Sequence, residues 1–239
     1  MISNQILLKP SSVVRILGAV AFLLVLASTV GQLTIYMAGG RDSGLVQLFF
    51  LDAEQNMPTF FSSLILLFAS LLLAVITILE KNRKTFNVSY WALLSFGFLF
   101  MAIDEFVCLH EKLELPMRKL LGGSNFGFFH FAWVIPGIAL VFVLALFLFR
   151  FWWRLPAKTR LTFFIAASIY LAGCLGFEMI GGYCDELYGQ QNLTYVMLTT
   201  IEESLEMTGV IVFIWGLLKY IADNYKEVRL RLDGVSEEE

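Results

Sequence analysis

The sequence predicts an all-α polytopic membrane protein, a bundle of six transmembrane helices with both termini in the cytoplasm. Three observations predict it. Of the 239 residues, 58% are hydrophobic, and the mean hydropathy of +0.75 exceeds that of ordinary soluble domains. The apolar residues gather in runs of roughly 20, the length that crosses a hydrocarbon core of about 30 Å as helix. Lysine and arginine alternate in density from loop to loop, as the positive-inside rule describes.

The predicted spans are 13–37, 58–79, 90–109, 126–149, 161–182 and 195–221. Lys9 and Arg15 precede or open the first, whose apolar stretch is too long for a signal peptide and lacks a clean cleavage site. Pro58 starts the second in the place of a first-turn proline, with Asn56 as its cap. The third ends in FMAIDEFVCLHEKLE, which sets Asp104, Glu105, His110 and Glu111 into an apolar run. The fourth carries His130 one turn in. The fifth carries Glu178, Gly181 and Gly182 towards its end, with Asp185 just beyond. The sixth carries Glu202, Glu203 and Glu206 in its first turns. Residues 222–239 read as a charged cytoplasmic tail. The connecting pieces leave no room for a soluble domain, so the chain is one transmembrane domain.

Orientation follows from the basic residues. One set of loops holds 13 of them (Lys9, Arg15, Lys81, Arg83, Lys84, Arg150, Arg154, Lys158, Arg160, Lys219, Lys226, Arg229 and Arg231). The other holds four: Arg41, Lys112, Arg118 and Lys119. The richer set belongs in the cytoplasm. Reporter fusions after Lys84, Arg160 and Glu239 are expected to read as cytoplasmic, and fusions after Asp52, Gly122 and Gln190 as external. An external C-terminus would invert this placement.

With that orientation, the unusual polar groups converge on the outer half of the bilayer. A charged side chain at mid-bilayer costs about 2.5–3.5 kcal/mol on insertion scales, so such groups generally face a protein interior and serve a function. Asp104, Glu105, Glu111, Glu178, Glu202, Glu203 and Glu206 form the core of the candidate site, with His110 and His130 as candidate imidazole ligands. Asp52, Glu54 and Asp185 are candidates for its mouth. Asp104 and Glu111, seven residues apart, would share a face of a continuous helix, with Cys108 between them. His110 would converge on that face only if the helix end bends.

No lysine or arginine lies at that depth to pair with the acids. Adjacent carboxylates cannot all stay ionised, so either they hold protons or cations neutralise them. Oxygen-rich ligands with one or two imidazoles suit one or two divalent metals, Fe, Mn, Zn or Ca. A protonated, water-filled vestibule and helix-end acids solvated at the interface are the alternatives, the second favoured by the helix dipole on span six. A metal site would make the protein a candidate membrane metalloenzyme. The other readings are a cation- or proton-coupled transporter and a non-catalytic subunit bound to other membrane subunits. The inner halves of the spans, such as LLLAVITIL and VFVLALFLF, are nearly all apolar, which disfavours a path through the membrane.

Several classes are excluded. The net charge is −3 and basic residues occur in short clusters, so nucleic acid is not a partner. Walker, GxGxxG, HExxH and CxxC motifs are absent, as is the Glu-x-x-His pair of di-iron bundles. Three cysteines make no disulfide framework. Cys108 and Cys184 both fall near outer helix ends, in a compartment that permits a disulfide between them; the alternative is two small buried residues.

The segment from Leu51 to Ser63, the Asp104-Glu105…His110-Glu111 stretch and Glu202-Glu203-Ser-Leu-Glu206 together resemble a group of bacterial multi-pass membrane proteins. That resemblance covers most of the chain. It implies six helices in a bacterial inner membrane, with the site facing the periplasm or exterior, and it implies no activity.

Overall fold

A computed structural model describes residues 9–37, 44–122 and 126–225. Among the described residues every regular element is helical, and six helices are long and apolar enough to cross a membrane. They are α1 (Pro10–Met37), α3 (Met57–Asn82), α4 (Val88–Val107), α6 (Val134–Arg154), a fifth rod running from Ala157 to Tyr188, and α9 (Leu193–Asn224). The fifth rod has three parts: α7 (Ala157–Leu171), a π-helical stretch (Ala172–Phe177) and α8 (Glu178–Tyr188). The short helices α2 (Gly44–Gln47) and α5 (Glu114–Leu121) lie in connections. Of the predicted tail, residues 226–239 lie outside the described residues, as does Arg41.

The fourth span is displaced from its predicted position. It was expected over 126–149, but α6 runs Val134–Arg154. Gly127 takes a φ of 57° and opens a 3-10 turn, which breaks the apolar run that hydropathy alone reads as continuous. Pro136 then falls in the first turn of α6, where a missing N–H costs nothing. At the other end Leu155, before Pro156, is extended and stops the helix. His130 therefore precedes the helix.

Helix α9 is the axis of the bundle. It packs against α1, α3, α7 and α8. Over half of its most apolar window (56%) is buried by protein, against 11% for α6. Lipid tails are as apolar as leucine, so close backbone approach rather than water exclusion holds membrane helices together. Gly209 supplies that approach: a Cβ there would lie 2.8 Å from the Tyr170 backbone nitrogen. Gly173 does the same beside the site, 2.8 Å from the Glu202 carbonyl oxygen. Gly209→Ala is therefore expected to force α7 from α9 and to cost about 1–3 kcal/mol, read as a lower melting temperature in detergent. Gly18→Ala, whose added Cβ meets nothing within 4 Å, should leave melting unchanged.

The end of α3 remote from the site is fastened to the end of α9. Glu80, 4% exposed, accepts hydrogen bonds from Tyr220 Oη (2.8 Å), Tyr225 Oη (2.7 Å) and Thr85 Oγ1 (2.6 Å). Arg83 donates to the Asn224 carbonyl at 2.7 Å and stacks 4.0 Å over the Tyr225 ring. Trp91, fully buried, packs edge-on against Phe151 and beside Tyr220 on the same level.

Candidate functional site

At the other end, a loop and two helix ends enclose a cavity. Asn56 holds the loop. Its Nδ2 donates to the carbonyls of Gln47 (3.0 Å) and Phe50 (2.6 Å), and its Oδ1 accepts from Thr59 N (3.2 Å), capping α3. Thr59 Oγ1 donates to the Ala53 carbonyl at 3.1 Å. Leu51 N donates to Ser28 Oγ of α1 at 3.1 Å. So clamped, the segment 51–54 lies over the start of α9, where Tyr195 Oη donates to Asp52 Oδ1 at 3.5 Å.

The end of α4 turns back on itself. The helix stops at Val107, and Cys108 takes the left-handed conformation with φ 51°, its N–H reaching the Asp104 carbonyl at 2.6 Å. The continuous helical face expected to carry Asp104 and Glu111 therefore does not exist, and Glu111 begins a separate 3-10 turn. The reversal brings His110 onto Asp104 instead. His110 N donates to Asp104 Oδ1 at 2.9 Å, and Nδ1 lies 2.8 Å from Oδ2. A proton on Nδ1 satisfies that carboxylate and leaves Nε2 as the basic nitrogen.

The fifth rod and α9 supply the remaining wall. The π-helical stretch inserts an extra residue into its turn, a feature that recurs at functional sites. It places Tyr170, Cys174 and Glu178 on the cavity. Trp133 Nε1 donates to Glu178 Oε1 at 2.8 Å. Glu202 stands beside Glu178 on the cavity wall, and Glu206 beside Tyr170. Glu202 is 8% exposed, and its Oε2 has no partner. Helix α9 begins at Leu193, nine residues before Glu202, and the helix dipole acts only over the first turn. The dipole account of these acids therefore fails.

The cavity measures about 230 Å³. Nine carboxylates line it: Asp52, Glu54, Asp104, Glu105, Glu111, Glu178, Glu202, Glu203 and Glu206. His110, Cys108 and Cys174 join them, and no lysine or arginine does. At the mouth, ligand atoms of Glu54, Cys108 and Glu111 all lie within 4.8 Å of one another. The field is strong enough to move the groups outside the spans. Burial, then the charges of Glu178, Glu111 and Asp185, push Asp52 up to about 7 against the opposing Tyr195 hydrogen bond. Burial and Glu54 raise Glu111. Burial, then Glu54 and Glu111, push the Cys108 thiol up to about 12. Burial pulls His110 down, but the Asp104 hydrogen bond and the charges of Asp104, Glu111 and Glu178 outweigh it and raise its pKa.

Two predicted site residues lie elsewhere. His130 Nε2 is 3.3 Å from Asp185 Oδ2 and its Nδ1 is 3.8 Å from Glu186, in a separate cluster that ties the turn before α6 to α8. Neither His130 nor Asp185 lines the cavity. Gly182 allows the contact, since a Cβ there would lie 3.2 Å from His130 Cβ. Cys108 and Cys184 are both free thiols. Trp133, Tyr170 and Tyr195 were not legible as site residues, because an aromatic ring in an apolar run reads as lipid-facing bulk. Cys108 was visible between two acids, but its place in the mouth group was not.

The whole cavity, residues 51 to 206, falls inside one family match. A family model described as a domain of unknown function, DUF8692, matches residues 16–221. No curated protein and no solved structure matches the chain.

Proposed function

The chain belongs to this DUF8692 family of unknown function, so its activity is read from the cavity, and we propose that this multi-pass membrane protein binds one or two divalent cations there. One observation carries the reading. Nine carboxylates enclose about 230 Å³ with no basic side chain among them, and the buried Glu202 Oε2 has no partner. A buried acceptor without a donor costs about 1–3 kcal/mol, and a cation removes both that cost and the repulsion around it. Glu105, Glu178, Glu202, Glu203 and Glu206 would be the inner ligands. His110, oriented by Asp104, would add an imidazole. Glu54, Cys108 and Glu111 form a second group of donors at the mouth. The donor set suits Fe, Mn, Zn or Ca.

The distribution of lysine and arginine supports a cavity open on the non-cytoplasmic side, and the resemblance to bacterial multi-pass proteins implies that this side is the periplasm or exterior of a bacterial inner membrane. If the protein is an enzyme, the cation supplies a Lewis acid or an activated water, while His110 Nε2 and the spare carboxylates accept or deliver protons. A transport path is less favoured, because beyond the cavity the buried Ile65, Leu66, Met207 and Val210 leave only a void of about 10 Å³ beside Ser62, Glu105, Tyr170 and Glu206. Elemental analysis of protein purified without chelator tests the proposal. One or two equivalents of metal per chain are expected, and Glu202→Gln should lower that figure. Protein that carries no stoichiometric metal, and whose melting temperature does not rise with added Mn, Fe, Zn or Ca, would overturn it.

A further inference from the structure

Two of the proposed ligands come from different elements and meet on one side chain. Glu178 begins α8, and His110 lies beyond the reversal that ends α4. Trp133 touches both. Its Nε1 donates to Glu178 Oε1 at 2.8 Å, and its ring packs on the His110 imidazole with centroids 4.6 Å apart. Of the five tryptophans, it alone lines the cavity.

The surrounding chain fixes that ring. Ala132 and Val134, on either side of it, are fully buried. The Trp133 backbone N–H donates to Glu114 Oε2 at 3.4 Å. Glu114 pairs with Arg118, which also donates to the His130 carbonyl. One turn into α6, Gly137 leaves the ring its space, since a Cβ there would lie 3.2 Å from Trp133 Cζ3. An indole has one N–H and no acceptor, so the direction of its bond to Glu178 is settled.

These contacts decide how the two ligands can meet a cation. Calcium gathers about six to eight oxygens and takes carboxylates through one oxygen or both. Zinc takes about four ligands and accepts imidazole nitrogen among them. The indole N–H engages Glu178 Oε1, which favours coordination through Oε2 alone. Asp104 holds His110 Nδ1 at 2.8 Å while the Trp133 ring backs the imidazole, so Nε2 is presented in a fixed direction. A single carboxylate oxygen beside an oriented imidazole suits a transition-metal ion better than calcium.

We propose that Trp133 is a positioning residue that makes the cavity select a transition-metal ion, zinc or iron, over calcium. The inference rests on the reading of the cavity as a cation site and narrows the ions that reading allows. Trp133 ligates nothing itself. It acts through Glu178 and His110.

The test uses the full chain in nanodiscs, stripped by chelator and titrated with Zn²⁺ and with Ca²⁺ by calorimetry. Replacing Trp133 with its benzothiophene analogue keeps the shape of the ring and its contact with His110 but puts sulfur in place of the N–H. Zn²⁺ affinity is expected to fall by about tenfold or more, as on loss of other outer-shell partners. Ca²⁺ affinity should hold or rise, and the melting temperature of the metal-free protein should not change. Trp133→Phe should shift the preference in the same direction. In Glu178→Gln the analogue should have little further effect on it, because the two side chains act as a unit. An equal loss for both ions, a wild type that binds Ca²⁺ as tightly as Zn²⁺, or an analogue effect that persists in full in Glu178→Gln would each overturn the proposal. Wild type that binds neither ion removes the cation reading and this inference with it. Wild type that binds Zn²⁺, with variants that match it for both ions, removes this inference alone.

Discussion

Chelation at neutral pH is expected to lower the melting temperature by about 5–10 °C. A ligand at 100-fold over its dissociation constant stabilises by about 2.7 kcal/mol, and a chain of this size loses about 2–4 °C per kcal/mol. The effect should fade in acid, and the direction follows from the groups at the mouth. Asp52, pushed up to about 7 by burial and then by Glu178, and Glu111, raised by burial and then by Glu54, hold protons more tightly folded than unfolded. So does His110, where burial is outweighed by Asp104. In the metal-free protein each contributes stability that is fully present below its ordinary value and is lost as pH rises through the raised one. For Asp52 that window runs from about 4 to about 7. A bound cation replaces those protons, so the gap between loaded and chelated protein should open across the same window. Glu206→Gln should lose metal yet melt no lower than the chelated wild type, because it also removes a repelling charge. A chelator effect that is constant from pH 4 to pH 7 would separate the metal from these carboxylates.

Glu80→Ala is expected to cost about 3–5 kcal/mol. It removes the acceptor shared by Tyr220, Tyr225 and Thr85. Both tyrosines are buried, at 7% and 9% exposure, so their hydroxyls are left without partners, at about 1–3 kcal/mol each. The melting temperature should fall by roughly 6–20 °C. Glu80→Gln keeps an acceptor and should cost less than half as much. Glu80 lies 23 residues along α3 from Met57, about 35 Å from the cavity end. Metal content of the folded variant should therefore match wild type. A variant that melts as wild type would mean that solvent satisfies both tyrosines and the clasp adds nothing.

How much of this site was legible in the sequence differs from residue to residue. Asp104 and Glu202 stood out because a charge inside an apolar run is visible without any knowledge of packing. Asn56 and Pro58 announced a helix start, since capping is a matter of a few adjacent residues, and the structure has the cap with Thr59 N on Asn56 Oδ1. The relation between Asp104 and Glu111 was misread. Helical periodicity assumes that the helix continues, and nothing in VCLHEK marks Cys108 as left-handed. His130 was read into a span for a similar reason. Hydropathy averages over a window and passes smoothly across Gly127, where the backbone turns.

Six spans and a concentration of acids in a few stretches were determined by the sequence itself, because length, apolarity and charge belong to each segment regardless of its neighbours. Which acids meet was decided by tertiary structure. The reversal after Val107 gave His110 to Asp104, the π-helical stretch set Glu178 beside Glu202, and the Asn56 clamp laid Asp52 over Tyr195. His130 and Asp185 went to each other instead. A carboxylate in a span must find a partner, but chain composition does not say which. That choice depends on how closely helices approach, and here glycines at 173, 182 and 209 set the approach, with the rest of the bundle built around them.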